Sequence, residues 1–399
     1  MPARLSFVFL FIAAAGLILR APVNAFGPMA DALESALGMR PETFGFIAGM
    51  PLFTFGVFAF LSNGLSRRAL SSIAFYSLAG VLLGSCVRSL PHSAFVLAGT
   101  VLLAASIAEL NVILPVVIKR HFSHRAHAMT GFLCTMIGLS GAIGSFASVP
   151  LMTAFDAWQA PFLFWSTMTL PAFLFAKALG GASLAEARDL RAETPRCPST
   201  SEKFRFPLRL GLIFGLQATI STLIANWLPT TLAAAGTPLN EGAALVALFF
   251  LATVPGAFAA PLLKPVSRHP LLPIILFCAF AGAIVLLGAA AASPLRHAAA
   301  LAAGFAQGIL MTLSFTLLQT ESRDAADAFR LSSRVQGTGY CLAGLAPFAA
   351  AWLLGAASKM PTLAGIPKAH LVLTLVACAA LLWSLLYGIA SLRPPRQPA

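Results

Sequence analysis

The feature that most constrains this chain is a series of apolar stretches, each about 20 residues long, that recur along its whole length. Stretches of this length match a helix that crosses the hydrocarbon core of a bilayer. The chain is 58% hydrophobic and only 10% charged over 399 residues, which excludes an ordinary water-soluble domain. The pattern therefore predicts an all-α integral membrane protein. Its twelve predicted spans are 5–36, 43–64, 69–90, 93–118, 127–151, 159–181, 206–234, 241–263, 270–292, 297–319, 331–357 and 366–391.

The basic residues predict how these spans are oriented. The net charge is +13, but Lys and Arg are scattered between apolar runs, so we expect no nucleic-acid partner. Twenty of the 26 Lys and Arg lie in or beside segments that share one side with both termini. The positive-inside rule then predicts cytoplasmic termini, and we expect a bacterial inner (plasma) membrane. The segments predicted to lie outside hold Arg40, Arg88, Arg296, Lys359 and Lys368.

A polar connection divides the spans six and six. We expect an N-terminal six-helix bundle at 1–182, a cytoplasmic linker loop at 183–204 and a C-terminal six-helix bundle at 205–399. The halves resemble one another at an offset of 201, with three matched features. These are Pro28 with Pro229, the segments 65–68 with 266–269, and Gly138 with Gly339. The repeat predicts two pseudo-symmetric bundles, an arrangement typical of transporters that bind substrate between halves.

The first span carries charge at the depth of the membrane. An arginine at mid-span costs about 2.5–3.5 kcal/mol on insertion scales, so Arg20 needs a partner, water or an anionic ligand. Pro22 and Pro28 each remove a backbone donor and free the carbonyl four residues earlier. One helical face would carry Arg20, Asn24, Gly27 and Asp31. We interpret this face as part of a binding site for an anion.

Glu109, in the fourth span, leaves two alternatives open. It could neutralise Arg20 in a permanent structural ion pair, or it could carry a coupling proton if no cation lies beside it. Asp31 is a second coupling candidate. The chain would then act as a symporter or antiporter.

The C-terminal half offers neutral polar groups at comparable depth. The seventh span has a polar stripe of Thr219, Thr222, Asn226 and Thr230, and glutamines lie at Gln217, Gln307 and Gln336. A charged half facing an uncharged one suits a small substrate held by one ionic contact and several hydrogen bonds. Each polar residue alone could instead make an interhelical hydrogen bond.

The sequence has no motif typical of catalysis, nucleotide binding or metal binding. The chain has no Walker A, GxSxG or HExxH sequence and no glycine-rich nucleotide motif. We therefore expect neither an enzyme nor an ATP-driven pump, and no cofactor. His121, His124 and His127 lie in a basic loop without a nearby Cys or carboxylate, so we expect no metal. A membrane sensor without transport stays a less favoured alternative.

Four sequence segments are similar to those of a known family. They are "LRAPVNAFGPM", "NVILPVVIKRHF" followed by "MTG", "NWLP", and "SSRVQGTGYCLAGLAP". With the twelve spans, they resemble the major facilitator superfamily, and within it the branch of cyanate permeases and nitroimidazole transporters. The chain departs from the usual pattern at Asn63, where the superfamily's loop signature has Asp, and at Glu109.

The resemblance implies alternating access, with spans 1, 4, 7 and 10 around a central cavity that would hold both Arg20 and Glu109. It implies a secondary active or facilitative carrier for a small, anionic or polar organic solute in the lipid bilayer. The sequence leaves the oligomeric state open, with a monomer favoured. The alternative is efflux of neutral, nitroimidazole-type drugs, with Arg20 and Glu109 as a structural pair. The candidate substrate contacts are Arg20, Asn24, Glu109, Asn111, Gln217, Asn226, Trp227, Gln336 and Tyr340.

Overall fold

A computed structural model describes residues 2–179 and 202–391, apart from 235, 238, 268, 270, 290–292 and 358–367. Within these ranges the protein is helical and has no β-strand. The predicted all-α membrane fold is confirmed. Ten helical segments are long and apolar enough to cross a bilayer, and a shorter apolar segment covers Ala160–Ala176.

The N-terminal half contains spans 1 to 6. Span 1 is broken into Pro2–Ile18, Ala21–Asn24 and a 3-10 turn at Gly27–Met29, and a short helix, Ala30–Leu37, follows it. Span 6 also consists of two helices, Ala160–Thr167 and Thr169–Leu179. Shorter 3-10 turns lie at Ser62–Arg67 and Ser123–Arg125. Spans 2 to 5 are the helices Pro41–Leu61, Leu70–Val87, Ser93–His121 and Ala126–Phe155.

The C-terminal half contains spans 7 to 12. Their helices are Glu202–Ala234, Leu239–Ala259, Leu271–Ala289, Ser293–Glu321, Ala325–Ala357 and Lys368–Ser391, with a 3-10 turn at Ala260–Val266. The predicted linker, 183–204, lies outside the described residues except for its last three, which belong to the first of these helices.

The first span differs from the continuous helix that its apolar pattern predicts over 5–36. Its first helix ends at Ile18, four residues before Pro22. Proline lacks an N–H and obstructs the preceding turn, which favours a break in the helix at this point. The break leaves Arg20 between two helical pieces rather than on one regular helical face.

The two halves contact one another along pairs of spans. Span 5 packs against span 8, and a Cβ added at Gly138 would lie 2.9 Å from Thr253 Oγ1. Span 2 packs against span 11, and a Cβ at Gly56 would lie 2.5 Å from the backbone nitrogen of Cys341. Because these residues are small, the two bundles can approach closely along these spans.

Candidate functional site

A cavity of about 930 Å³ lies between the two halves. Because successive spans alternate in direction, one membrane face carries the loops joining spans 2–3, 4–5, 8–9 and 10–11; we call it the terminal face, and the other the opposite face. The cavity wall includes Gly27, Pro28 and Ile47, which lie near the opposite face. Its deeper wall contains Arg20, Gln217, Gln307 and Tyr340.

The break in span 1 is held by one hydroxyl group from span 5. The backbone N–H groups of Arg20 and Ala21 donate to Ser140 Oγ at 3.1 and 2.7 Å. The same hydroxyl donates to the carbonyl oxygen of Leu17 at 2.5 Å. A buried backbone group without a partner is costly, so Ser140 stabilises the broken conformation. Gly144 allows the close approach, since a Cβ there would lie 2.5 Å from the Cα of Ala21.

Arg20 extends from this break towards the C-terminal half. Its Nη2 donates to the hydroxyl of Tyr340 at 2.7 Å, and its Nη1 donates to the carbonyl of Leu19 at 3.2 Å. Its guanidinium carbon lies 5.2 Å from the ring centroid of Phe55, a cation–π contact. None of these partners carries a negative charge. Arg20 is therefore held in place without being neutralised, and in this conformation it forms no ion pair with Glu109.

Arg88, which the sequence predicts to lie in an external segment, is a second cation in the cavity wall. It follows the helix of span 3, is 0% exposed, and its Nη1 donates to the carbonyl of Pro22 at 2.7 Å. That carbonyl is available because the N–H of Phe26 bonds Val23 instead, at 3.2 Å. The sequence places Arg88 at the end of an apolar run, and nothing there signals that the distant span-1 break buries it.

The C-terminal wall of the cavity carries neutral polar groups. Nε2 of Gln307 donates to the carbonyl of Gln217 at 2.7 Å and to Ser221 Oγ at 2.8 Å. Oε1 of Gln307 is buried without a hydrogen-bond partner among the described residues. Thr222 also lines the cavity, although its hydroxyl donates to the carbonyl of Ala218 at 2.8 Å. This wall can supply hydrogen bonds but no charge.

Three predicted site residues lie outside the described cavity wall, and two of them join the halves on the terminal side. Nε2 of Gln336 donates to the carbonyl of Asn111 at 2.8 Å, so spans 4 and 11 are joined there. Glu109 lies beside Ser62, and its Oε2 is buried without a partner among the described residues. None of the three contributes to the described cavity wall, so the expectation that Arg20 and Glu109 share one chamber is not met in this conformation.

The terminal face is closed by hydrogen bonds between the halves. Lys119, near the end of span 4, donates through Nζ to the carbonyls of Gln319 and Ser322, at 3.0 and 2.7 Å. Nε2 of Gln319 donates in return to the carbonyl of Pro115 at 2.7 Å. Ser333 donates to the carbonyl of Ala59 at 2.6 Å. The cavity is thus blocked on the terminal side.

The other predicted site residues divide between the cavity and its surroundings. Asn24 lines the cavity, and its Nδ2 lies 3.5 Å from the carbonyl of Gly141. Trp227 is half-buried and is not part of the described cavity wall. The side chains of Asn226 and Asp31 lie outside the described part of the structure. Sequence reasoning missed Arg88 and Thr100, and it noted Gln307 without choosing it as a site residue.

Two bundles of membrane-spanning helices around a central cavity, with one face closed, define a membrane transporter. The sequence matches the family model of the Major Facilitator Superfamily over residues 7–345, and the chain belongs to this superfamily. It is an integral multi-pass membrane protein that transports small molecules.

Relatives and a solved structure agree with this assignment. The chain is 30% identical over 336 residues to the 2-nitroimidazole transporter of Escherichia coli (strain K12), covering 82% of this chain and 83% of the relative. It is 27% identical over 341 residues to the cyanate transport protein CynX of the same organism, covering 84% and 86%. The proton:xylose symporter XylE shares the fold, with a TM-score of 0.71, 12% identity and coverage of 96% and 95%. The resemblance seen in the sequence is confirmed.

Proposed function

We propose that this protein is a secondary carrier that moves a small anion across the membrane by alternating access, with Arg20 as the ionic contact. One observation carries the proposal. Within the described cavity wall the charged side chains are Arg20 and Arg88, and no acidic residue accompanies them. A cavity with this charge attracts anions and repels cations.

The surroundings of Arg20 support direct contact with the solute. Tyr340 and Phe55 hold the guanidinium without neutralising it, so its charge is available to a ligand. Gln217, Gln307 and Ser221 lie across the same cavity and can bind the remaining polar atoms of the solute. Because Tyr340 belongs to the other half, an anion at Arg20 would contact both bundles and could favour their closure around it.

The closed terminal face supports an outward-open conformation, given the cytoplasmic termini that the basic residues predict. The solute would enter from outside the inner membrane of a bacterium, and rocking of the halves would carry it past the closed contacts of Lys119. Residues 1–182 and 205–399 would be the two moving bundles, joined by the linker 183–204.

Counterflow in proteoliposomes tests the proposal. Vesicles loaded with cyanate or a small carboxylate should accumulate the labelled anion through the wild type, and Arg20→Gln should reduce this flux at least tenfold because the ionic contact is lost. Arg40→Gln is the matched control, since Arg40 is exposed and does not line the described cavity. Equal anion flux through Arg20→Gln and Arg40→Gln would contradict the assignment of Arg20.

A neutral aromatic solute is the second candidate. One relative is named as a 2-nitroimidazole transporter, and aromatic side chains of Phe55, Phe315 and Tyr340 line the cavity of this chain. Counterflow of 2-nitroimidazole in the same vesicles separates the two candidates. Nitroimidazole flux that persists in Arg20→Gln, without flux of any anion in the wild type, would favour the neutral solute.

A further inference from the structure

Arg88 has hydrogen-bonding capacity that the protein leaves unused. Its Nη1 donates to the carbonyl of Pro22, and its guanidinium carbon lies 3.9 Å from the ring centroid of Phe162. Its Nε and Nη2 are buried and have no hydrogen-bond partner among the described residues. A fully buried cation needs a counter-charge, which one carbonyl and one aromatic ring do not supply.

The unused donors lie on one edge of the guanidinium group. The N–H bonds of Nε and Nη2 point in the same direction, and their spacing matches the two oxygens of a carboxylate. A linear anion with a single terminal acceptor atom cannot use both bonds equally well. The geometry of Arg88 therefore favours an oxyanion with two oxygens on one centre.

A second unused group lies in the same wall. Thr100, on span 4, lines the cavity, and its Oγ1 is buried without a partner among the described residues. Thr100 follows Gly99, at which a Cβ would lie only 2.4 Å from the backbone nitrogen of Arg88. The close contact of spans 3 and 4 thus brings Thr100 and Arg88 into one region of the cavity wall.

We propose that Arg88 and Thr100 form a second anion subsite, selective for carboxylate-type oxyanions, in the cavity that holds Arg20. The inference rests on the proposed function and narrows the substrate class. The solute carries a carboxylate or an equivalent oxyanion group, which binds the Nε–Nη2 edge of Arg88 and the Thr100 hydroxyl. Arg20 supplies the other cationic contact.

Ligand-induced thermal stabilisation of the full-length purified protein tests the subsite. The probes are acetate, benzoate, malonate and cyanate at constant ionic strength, and each variant is compared with its own ligand-free melting temperature. At least one of the three carboxylates should stabilise the wild type saturably. Arg88→Lys should weaken the apparent affinity for that carboxylate about 10- to 100-fold, because lysine keeps the charge but loses the bidentate edge.

Thr100→Val tests the subsite without changing a charge, and should weaken carboxylate binding about 3- to 10-fold through the loss of one hydrogen bond. Ser85→Ala is the matched control. The Ser85 hydroxyl is also buried without a partner among the described residues, but it does not line the cavity, so carboxylate affinity should not change.

The outcomes separate the subsite from the proposed function. Anion binding that is lost in Arg20→Gln but unchanged in both Arg88→Lys and Thr100→Val would overturn the subsite and leave the carrier proposal standing. Stabilisation by cyanate but by no carboxylate would do the same. Failure of all four anions to bind the wild type would overturn both.

Discussion

Ser140 shows how one side chain can stabilise a break in a membrane helix. Its hydroxyl accepts from two backbone N–H groups of span 1 and donates to one carbonyl. In a bilayer, the alternative partner of such groups, bulk water, is scarce, so the hydroxyl substitutes for the lost helical bonds. The position of Arg20, which sits at this break, depends on the same residue.

Ser140→Ala should therefore destabilise the protein by about 2 kcal/mol or more, since it leaves up to three polar groups without a partner. Ser145→Ala, a substitution on the same helix, should have little effect because Ser145 makes none of these bonds. Thermal unfolding in detergent measures the difference between the two variants. Equal stability would show that water or a neighbouring group satisfies the break.

Glu109 offers a test of proton coupling. Its Oε2 is buried beside Ser62, in the turn Ser62–Arg67 that contacts span 11 of the other half. If this contact opens to water on the terminal face, the carboxyl group can take up a proton in one conformation and release it in the other. Glu109→Gln should then abolish accumulation driven by a proton gradient but preserve counterflow.

The matched control for Glu109→Gln is Glu34→Gln, because Glu34 is exposed. Uptake in proteoliposomes, measured with and without an imposed pH gradient, distinguishes the loss of gradient-driven accumulation from a loss of transport itself. Gradient-driven accumulation by Glu109→Gln at the wild-type level would assign coupling to another group.

The sequence identifies the polar residues that lie in spans, but not all that reach the cavity. Arg20 and Gln217 stand out because a polar side chain at mid-span is costly. Arg88 does not, because its burial depends on Pro22 and Phe162, which are distant along the chain. Asn111 and Gln336 resemble cavity residues in the sequence, yet in this conformation they bond across the closed face. Conformational state cannot be read from spacing.

At the scale of helices, the apolar pattern predicts where spans lie, and glycines determine how closely they pack. Spans 8 and 10 are in backbone contact: a Cβ added at Gly304 would lie 2.0 Å from the carbonyl oxygen of Phe249, and one at Gly308 would lie 2.2 Å from that of Thr253. No side chain fits these positions without moving a helix. In the bilayer, such small residues permit the packing that holds helices together.

Gly304→Ala and Gly282→Ala should consequently change stability in opposite directions. The first forces spans 8 and 10 apart and should cost about 1–3 kcal/mol. The second adds a Cβ to a helix position with nothing within 4 Å, so it should stabilise the protein by up to about 1 kcal/mol. Melting temperatures in one detergent compare them, and a stabilising Gly304→Ala would contradict the close packing.

At the scale of the whole molecule, the two halves are joined on the terminal face and separated by the cavity on the opposite face. Hydrogen bonds across the terminal face connect span 4 with spans 10 and 11, and the cavity separates the halves on the other side. Lys119 donates two of these hydrogen bonds, and both acceptors lie at the C-terminal end of the helix Ser293–Glu321. A cation there also interacts favourably with the helix dipole. Opening of the terminal face must break these contacts.

Lys119→Met should therefore shift the population towards a conformation open on the terminal face. Loss of two hydrogen bonds from a charged donor corresponds to about 2 kcal/mol or more, which raises the open fraction at least tenfold from a small starting value. Spin labels at Ser123 and Arg323, which are exposed on the terminal face in opposite halves, report the change as a longer interspin distance. Arg125→Met removes an exposed cation from the same loop and should leave the distances unchanged. Identical distance distributions in Lys119→Met and Arg125→Met would show that the remaining contacts, among them the Gln319 bond to Pro115, suffice to keep the face closed.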